Sequence, residues 1–159
     1  MGECILRRVY KPKVVITDTY LFNEGNQNTS LTGGWFFSGL SGMTASFGNV
    51  MRIYPSTENN TREGYILTHK TVDVTNYKTL EFKISVASNR YGVLAGCTTN
   101  DIATTANGTS SFVATASVAA QSTGSKTLKV DVSGVTGKYY ISLFANDADV
   151  TVSSVMLKV

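Results

Sequence analysis

The sequence predicts an all-β chain folded as a sandwich of two antiparallel sheets. Its composition is the first reason: 21 Thr, 17 Val and 16 Ser stand against only 10 Leu. β-Branched side chains suit a pleated, half-buried surface and lose χ1 freedom in helices. Alternation is the second. In "TLEFKISVA" (79–87), Leu80, Phe82, Ile84 and Val86 fall on one face and Glu81, Lys83 and Ser85 on the other. A period of two marks a strand with one dry and one wet face. Punctuation is the third, since 14 Gly, with Asn and Ser, separate the strand-like runs.

In chain order, residues 1–18 read as an arm, with "CILRRVY" and "KVVITD" as short strands broken by Pro12. The sandwich domain is expected over 19–159. "TYLFNEG" opens it, a polar loop follows, and "GWFFSG" begins the next strand, with Gly33-Gly34 bending the backbone before Trp35. "NVMRIYP" (49–55) and "GYILTHK" (64–70) flank the polar turn "STENNTRE", a hairpin-type signal. Next come "TLEFKISVA" and "YGVLAGCTT" (91–99), the loop "NDIATTANGTSS" (100–111) and "FVATASVAA" (112–120). "TLKVDVS" (127–133), "KYYISLFA" (138–145) and "VTVSSVMLKV" (150–159) complete the set. In "KYYISLFA", Tyr139, Ile141 and Leu143 share one face, so Tyr139 and Tyr140 point oppositely. About nine to ten strands at this spacing imply a sandwich or barrel, and no amphipathic helix is expected.

A chain of 159 residues makes one domain and buries roughly 70% of its unfolded surface, so it needs no metal or disulfide to fold. Cys4 and Cys97 are expected to be free thiols, because two cysteines make neither a disulfide framework nor a zinc site. "MGECILRRVYK" has no apolar signal-peptide core, and no run of about 18 apolar residues occurs, so neither export by that route nor a membrane span is expected.

The net charge of +3 is concentrated in Arg7, Arg8, Lys11 and Lys13. From residue 14 onward ten basic side chains balance ten acidic ones. A neutral body argues against nucleic acid as a partner. The basic arm is expected to contact a neighbouring subunit, and sheet edges favour a homo-oligomer.

"VDVTNYKTLEFKI" (72–84) and "VDVSGVTGKYYISL" (130–143) echo one another. Shared turn chemistry explains it: Asp73 and Asp131 accept backbone N–H bonds where the chain turns. Followed by a terminal strand, this pair resembles the late strands of the galactose-binding-like jelly roll. "CILRR" with "LFNEGNQNTSLTGGW" resembles small phage and prophage proteins of Gram-positive bacteria, over about residues 4–159. The resemblance implies a binding or structural module, often directed at carbohydrate. It further implies a virion subunit of tail, baseplate or head appendage, made in the host cytoplasm and touching other virion proteins. The alternative is a free carbohydrate-binding module.

An enzyme is not expected. The one histidine, His69, sits in a strand-like run, and no nucleophile elbow, phosphate loop or His-Glu-x-x-His occurs. Glu58, Glu63, Asp101, Asp147 and Asp149 lie in polar loops, and nothing in the sequence pairs two of them as a glycosidase needs. Asp101, Asp147 and Asp149 are of calcium-ligand type but lack a dense ligand spacing, so no metal or other cofactor is assigned. A glycan site needs an aromatic face for the sugar ring and amide or charged groups for its hydroxyls. Trp35, Tyr54, Tyr65 and Tyr91 are the aromatic candidates, and Asn60 and Arg62 the polar ones. Phe36, Asn59, Asn89 and Arg90 are further candidates of the same types. Trp35 is either core or platform. If it points between the sheets, the glycan site rests on Tyr54, Tyr65 or Tyr91.

Overall fold

A computed structural model of the chain describes residues 13–56, 62–99 and 111–159. Arg7, Arg8 and Lys11 of the expected arm, Cys4, Asn60 and Asp101 lie outside the described residues. The fold is the expected all-β sandwich. It is organised around two long antiparallel strands, β8 (Thr79–Thr98) and β11 (Lys138–Lys158). The sequence reads as two strands in each of these regions. The chain instead stays paired through a bend, where the register slips between Asn146 and Ala148 and between Asp149 and Val150. Such bulges re-aim side chains without ending the ladder. Here they exchange the inward parity: Leu80, Phe82, Ile84 and Val86 face the core before the bend of β8, and Val93, Ala95 and Cys97 after it. Both halves therefore line one core.

One edge of β11 pairs with β8. The other edge is shared by four segments in order. They are β1 (Thr19–Asn23), β5 (Met51–Pro55), β6 (Glu63–Thr68) and β7 (Val72–Asp73), all antiparallel. β5 and β6 thus lie end to end along β11 and are not partners, so "STENNTRE" does not join a hairpin. β5 pairs instead with β4 (Met43–Phe47), which the sequence patterning did not mark, and β6 with β3 (Trp35–Ser41). β9 (Phe112–Val118) and β10 (Gly124–Asp131) divide the outer edge of β8. Two residues of β2 (Asn26–Gln27) complete the pairing against β1.

Two layers result. One joins β10, the first half of β8, the second half of β11, β1, β5 and β4. The other joins β9, the second half of β8, the first half of β11, β6 and β3.

The polar stretch before Trp35 holds one helical turn, α1 (Thr29–Thr32). Asn28 caps it, accepting from Leu31 N–H at 3.4 Å, and Gly33 ends it in the left-handed region at φ 70°. Val74 and Val132 are fully buried just past the two aspartates that end β7 and β10. Thr75 N–H donates to Asp73 Oδ1 at 3.0 Å, and Ser133 N–H donates to Asp131 Oδ1 at 2.9 Å. The repeated "VDV" is thus turn chemistry, as read. Residues 13–18 form no strand, contrary to the reading of "KVVITD". Lys13 is exposed, and Asp18 Oδ1 accepts from Val159 N–H at 3.1 Å, fastening the entry of the domain to its last residue.

Candidate functional site

Trp35 points between the sheets. Its side chain is 6% exposed, and the indole N–H donates to Leu21 O at 3.5 Å. It is a core residue, which removes it from the candidate glycan platform. Tyr54 lies on the other layer, half-buried beneath the Arg52 guanidinium, 4.6 Å from its ring centre. Arg52 in turn donates to both oxygens of Asp149 at 2.9 and 2.7 Å, and this contact raises the guanidinium pKa above its ordinary value.

Tyr65, Tyr91 and Arg62 meet on the outer face of the layer containing β6. Strand registry sets out that face in rows. One row runs Ser38–Tyr65–Phe144–Leu94–Ser117 across β3, β6, β11, β8 and β9. The row on one side runs Phe36–Leu67–Ser142–Gly96–Thr115, and that on the other Glu63–Asn146–Gly92. Tyr65, Leu67 and Phe144, with Phe36, Leu94 and Phe112 against them, form an apolar cluster separate from the core between the layers. The Tyr65 and Phe144 ring centres are 4.8 Å apart at 39°, and Phe36 stacks on His69 at 4.3 Å. His69 is exposed in the bend after β6, an aromatic contact of this face and not a strand residue.

At the Tyr91 end the face opens into a groove of about 310 Å³ lined by Tyr91, Leu94, Ser117, Phe144 and Asn146. Tyr91 is 55% exposed, whereas Tyr65 is 1% exposed and packs beside Phe144 in the same row, outside the groove lining. Polar groups crowd the same end. Asn146 Nδ2 donates to Glu63 Oε1 at 3.3 Å. Asp147 lies 3.2 Å from Arg62 and 3.5 Å from Arg90, and the Arg90 guanidinium sits 5.0 Å from the Tyr91 ring centre. Asp147 is held at φ 47°, its N–H donating to Arg62 O at 2.6 Å. Asn89 is buried under the groove wall, its amide donating to Ala119 O at 2.9 Å and Ser122 O at 3.2 Å. It holds the wall through these two amide bonds.

The carboxylates at this end are engaged by an amide or by arginines, and among the described residues no cluster of three His, Cys, Asp or Glu gathers to hold a metal. What the groove offers is an aromatic side, an amide and a hydroxyl, with the Arg90 guanidinium beside the Tyr91 ring. Phe144 and Asn146 were not singled out from the sequence. The signal existed: the alternation that turns Leu143 into the core turns Phe144 to the opposite face, where it packs with Tyr65 and Leu67.

No protein-family profile matches the chain, and no curated protein matches it by sequence. Solved structures do. A point variant of a family 29 carbohydrate-binding module superposes with a TM-score of 0.54 at 18% identity, covering 89% of this chain and 90% of that one. The family 11 carbohydrate-binding module of Clostridium thermocellum, bound to a β-1,3-1,4-mixed-linked tetrasaccharide, gives 0.55 at 11% identity, covering 91% and 97%. The K2 cleaved adhesin domain of Lys-gingipain gives 0.52 at 11% identity, covering 89% and 99%. Identities this low carry the fold and no residue roles: the chain shares the β-sandwich jelly roll of carbohydrate-binding modules.

Proposed function

We propose that the chain is a carbohydrate-binding module, acting by binding and not by catalysis. Its glycan lies in the groove beside Tyr91. The observation that carries this is the exposed Tyr91 ring joined to Phe144, Asn146 and Ser117 around one groove on a sheet face. A pyranose presents an apolar C–H face and a rim of hydroxyls. The first is matched by an aromatic ring, and the second by amide, hydroxyl and charged groups that both donate and accept. Arg90 against Tyr91 and Asn146 against Glu63 hold these groups before a ligand arrives, which lowers the cost of ordering them. The family 29 and family 11 modules of the same fold support this reading. The phage-particle placement rests on the sequence resemblance alone, since no structure named above is described as a virion protein.

Among the described residues no charged side chain lines the groove, and beside it Arg62 and Arg90 are balanced by Asp147 and Glu63, so a neutral glycan is the expected ligand. Calorimetric titration with neutral β-linked gluco- and manno-oligosaccharides tests this. Binding in the micromolar to millimolar range is expected, with Tyr91→Ala weakening it by about tenfold while thermal unfolding is unchanged. A flat titration across the panel, or full affinity in Tyr91→Ala, overturns the proposal.

A further inference from the structure

The opposite layer carries a second groove of about 370 Å³, on the solvent face of β8, β10 and β11. Registry again sets the rows: Ser125–Ser85–Thr151 in one, and Thr127 beside Lys83 in the next. Lys83, Ser85, Ser125, Lys126, Thr127 and Thr151 line it, with Ser153 at one side donating to Lys83 O at 3.2 Å. Among the described residues no aromatic side chain lines it. Lys83 and Lys126 form no ion pair among the described residues. The hydroxyls of Ser85, Ser125, Thr127 and Thr151 have no hydrogen-bond partner there either.

The charge around the groove is one-sided. Lys129 stands two residues beyond Thr127 and opposite Glu81, and Lys158 reaches Glu81 at 3.4 Å. Of the lysines here, Lys158 contacts the buried Glu81 carboxylate and Lys129 stands opposite it, while Lys83 and Lys126 line the groove itself, Lys126 from the row of Ile84. The nearby acids are turned elsewhere: Asp131 onto Ser133, and Asp149 onto Arg52. Lys83, Lys129 and Lys158 on the outer side of the sheet, with Lys126 at the groove wall, outnumber Glu81 and Asp131, so positive charge is in excess around the groove.

We infer that this face binds an acidic polysaccharide, one carrying carboxylate or sulfate groups. Ammonium groups are strongly hydrated point charges with three donors each, suited to an oxyanion held at the surface. The four free hydroxyls donate and accept, which suits the remaining sugar hydroxyls. With no aromatic ring among its described lining residues, the groove has no platform for stacking bases, which disfavours a nucleic acid. This site is independent of the Tyr91 groove, being on the other layer.

The test is affinity gel electrophoresis and calorimetry of the full chain with polygalacturonate, dextran sulfate and duplex DNA. Binding to polygalacturonate or dextran sulfate is expected, weakening as salt approaches and passes about 0.15 M. The polymer that binds identifies the anionic group. The double variant Lys83→Ala/Lys126→Ala is expected to bind about tenfold more weakly, with unchanged thermal unfolding, and Thr127→Val to bind more weakly as well. Tyr91→Ala is expected to bind as the parent does. Four results overturn the inference: no binding to either polysaccharide, full affinity in the double variant, a loss produced by Arg7→Ala/Arg8→Ala/Lys11→Ala or by Tyr91→Ala in its place, or duplex DNA bound as tightly at equal salt.

Discussion

Arg62 Nε lies 3.2 Å from Asp147 Oδ1, so the residue leading into β6 is clamped to the bend of β11. The carboxylate is 9% exposed and also faces Arg90, whose side chain is 62% exposed. The two contacts differ in weight. Asp147→Ala removes the buried carboxylate end of the clamp, and is expected to cost about 3 kcal/mol in chemical denaturation. Arg90→Ala removes a solvated partner and is expected to cost under about 1 kcal/mol. Equal losses from the two variants would contradict this ranking.

Trp35 and Tyr91 separate stability from binding. Trp35→Ala opens a cavity between the sheets and is expected to lower stability by about 3–5 kcal/mol. Trp35→Phe, measured below its melting transition, should bind glycan as the parent does. Tyr91→Ala should do the reverse, keeping the melting temperature and losing affinity.

Phe37 fills a slot made by two glycines. A Cβ at Gly64 would sit 2.7 Å from Phe37 Cε2 and 3.1 Å from Met43 Cβ, and one at Gly39 would sit 2.6 Å from Phe37 Cζ. Gly64→Ala is therefore expected to destabilise by about 1–3 kcal/mol through overpacking. Gly48→Ala, where an added Cβ meets nothing within 4 Å, should leave thermal unfolding nearly unchanged.

Acid should weaken the two turns that follow β7 and β10. The Thr75 hydroxyl and amide hold the Asp73 carboxyl below its ordinary value of 3.8, and those of Ser133 do the same for Asp131. A folded-state pKa below the unfolded one gives stability that is present above the unfolded value and lost as pH falls through the folded one. Denaturation midpoints measured from pH 5 down to about 2 should thus fall less steeply in Asp73→Asn/Asp131→Asn, which keeps the acceptor oxygens without the titration. Identical slopes would remove these two residues from the acid response.

Cys97 is fully buried, and burial pushes its thiol up to about 12. In a Cys4→Ser variant, a thiol reagent at pH 8 should label Cys97 only at the rate of unfolding, rising with denaturant. Immediate labelling would show that the site opens locally.

The strands with strict alternation were legible in the sequence because one face is wet and the other dry. β8 before its bend and the Leu128–Val130–Val132 run are of this kind. The continuity of β8 and β11 was not legible, because a bulge writes itself as a break in parity and looks like a turn. β4 was missed because "MTASF" carries only Met43 as a buried residue, with Ala45 partly buried. At the site, Tyr65, Tyr91 and Arg62 were named on residue type, and the structure brings them to one end of one face. Tyr54 was indistinguishable from them, since nothing local tells which layer an outward tyrosine belongs to. The hydroxyl and lysine groove was invisible for a similar reason: its members are spread over three strands that registry alone aligns.

The shared edge of β11 has a consequence in time. β1, β5, β6, β7 and β8 all precede it in the chain, and each pairs with it. Thr19 waits for Leu157, and Asp18 for Val159. During synthesis the earlier segments must remain unpaired along that side until residues 138–158 arrive, and closure of such long loops is slow. The layers are therefore expected to be completed late, with the edges that await β11 as the stretch of the chain's life most open to aggregation.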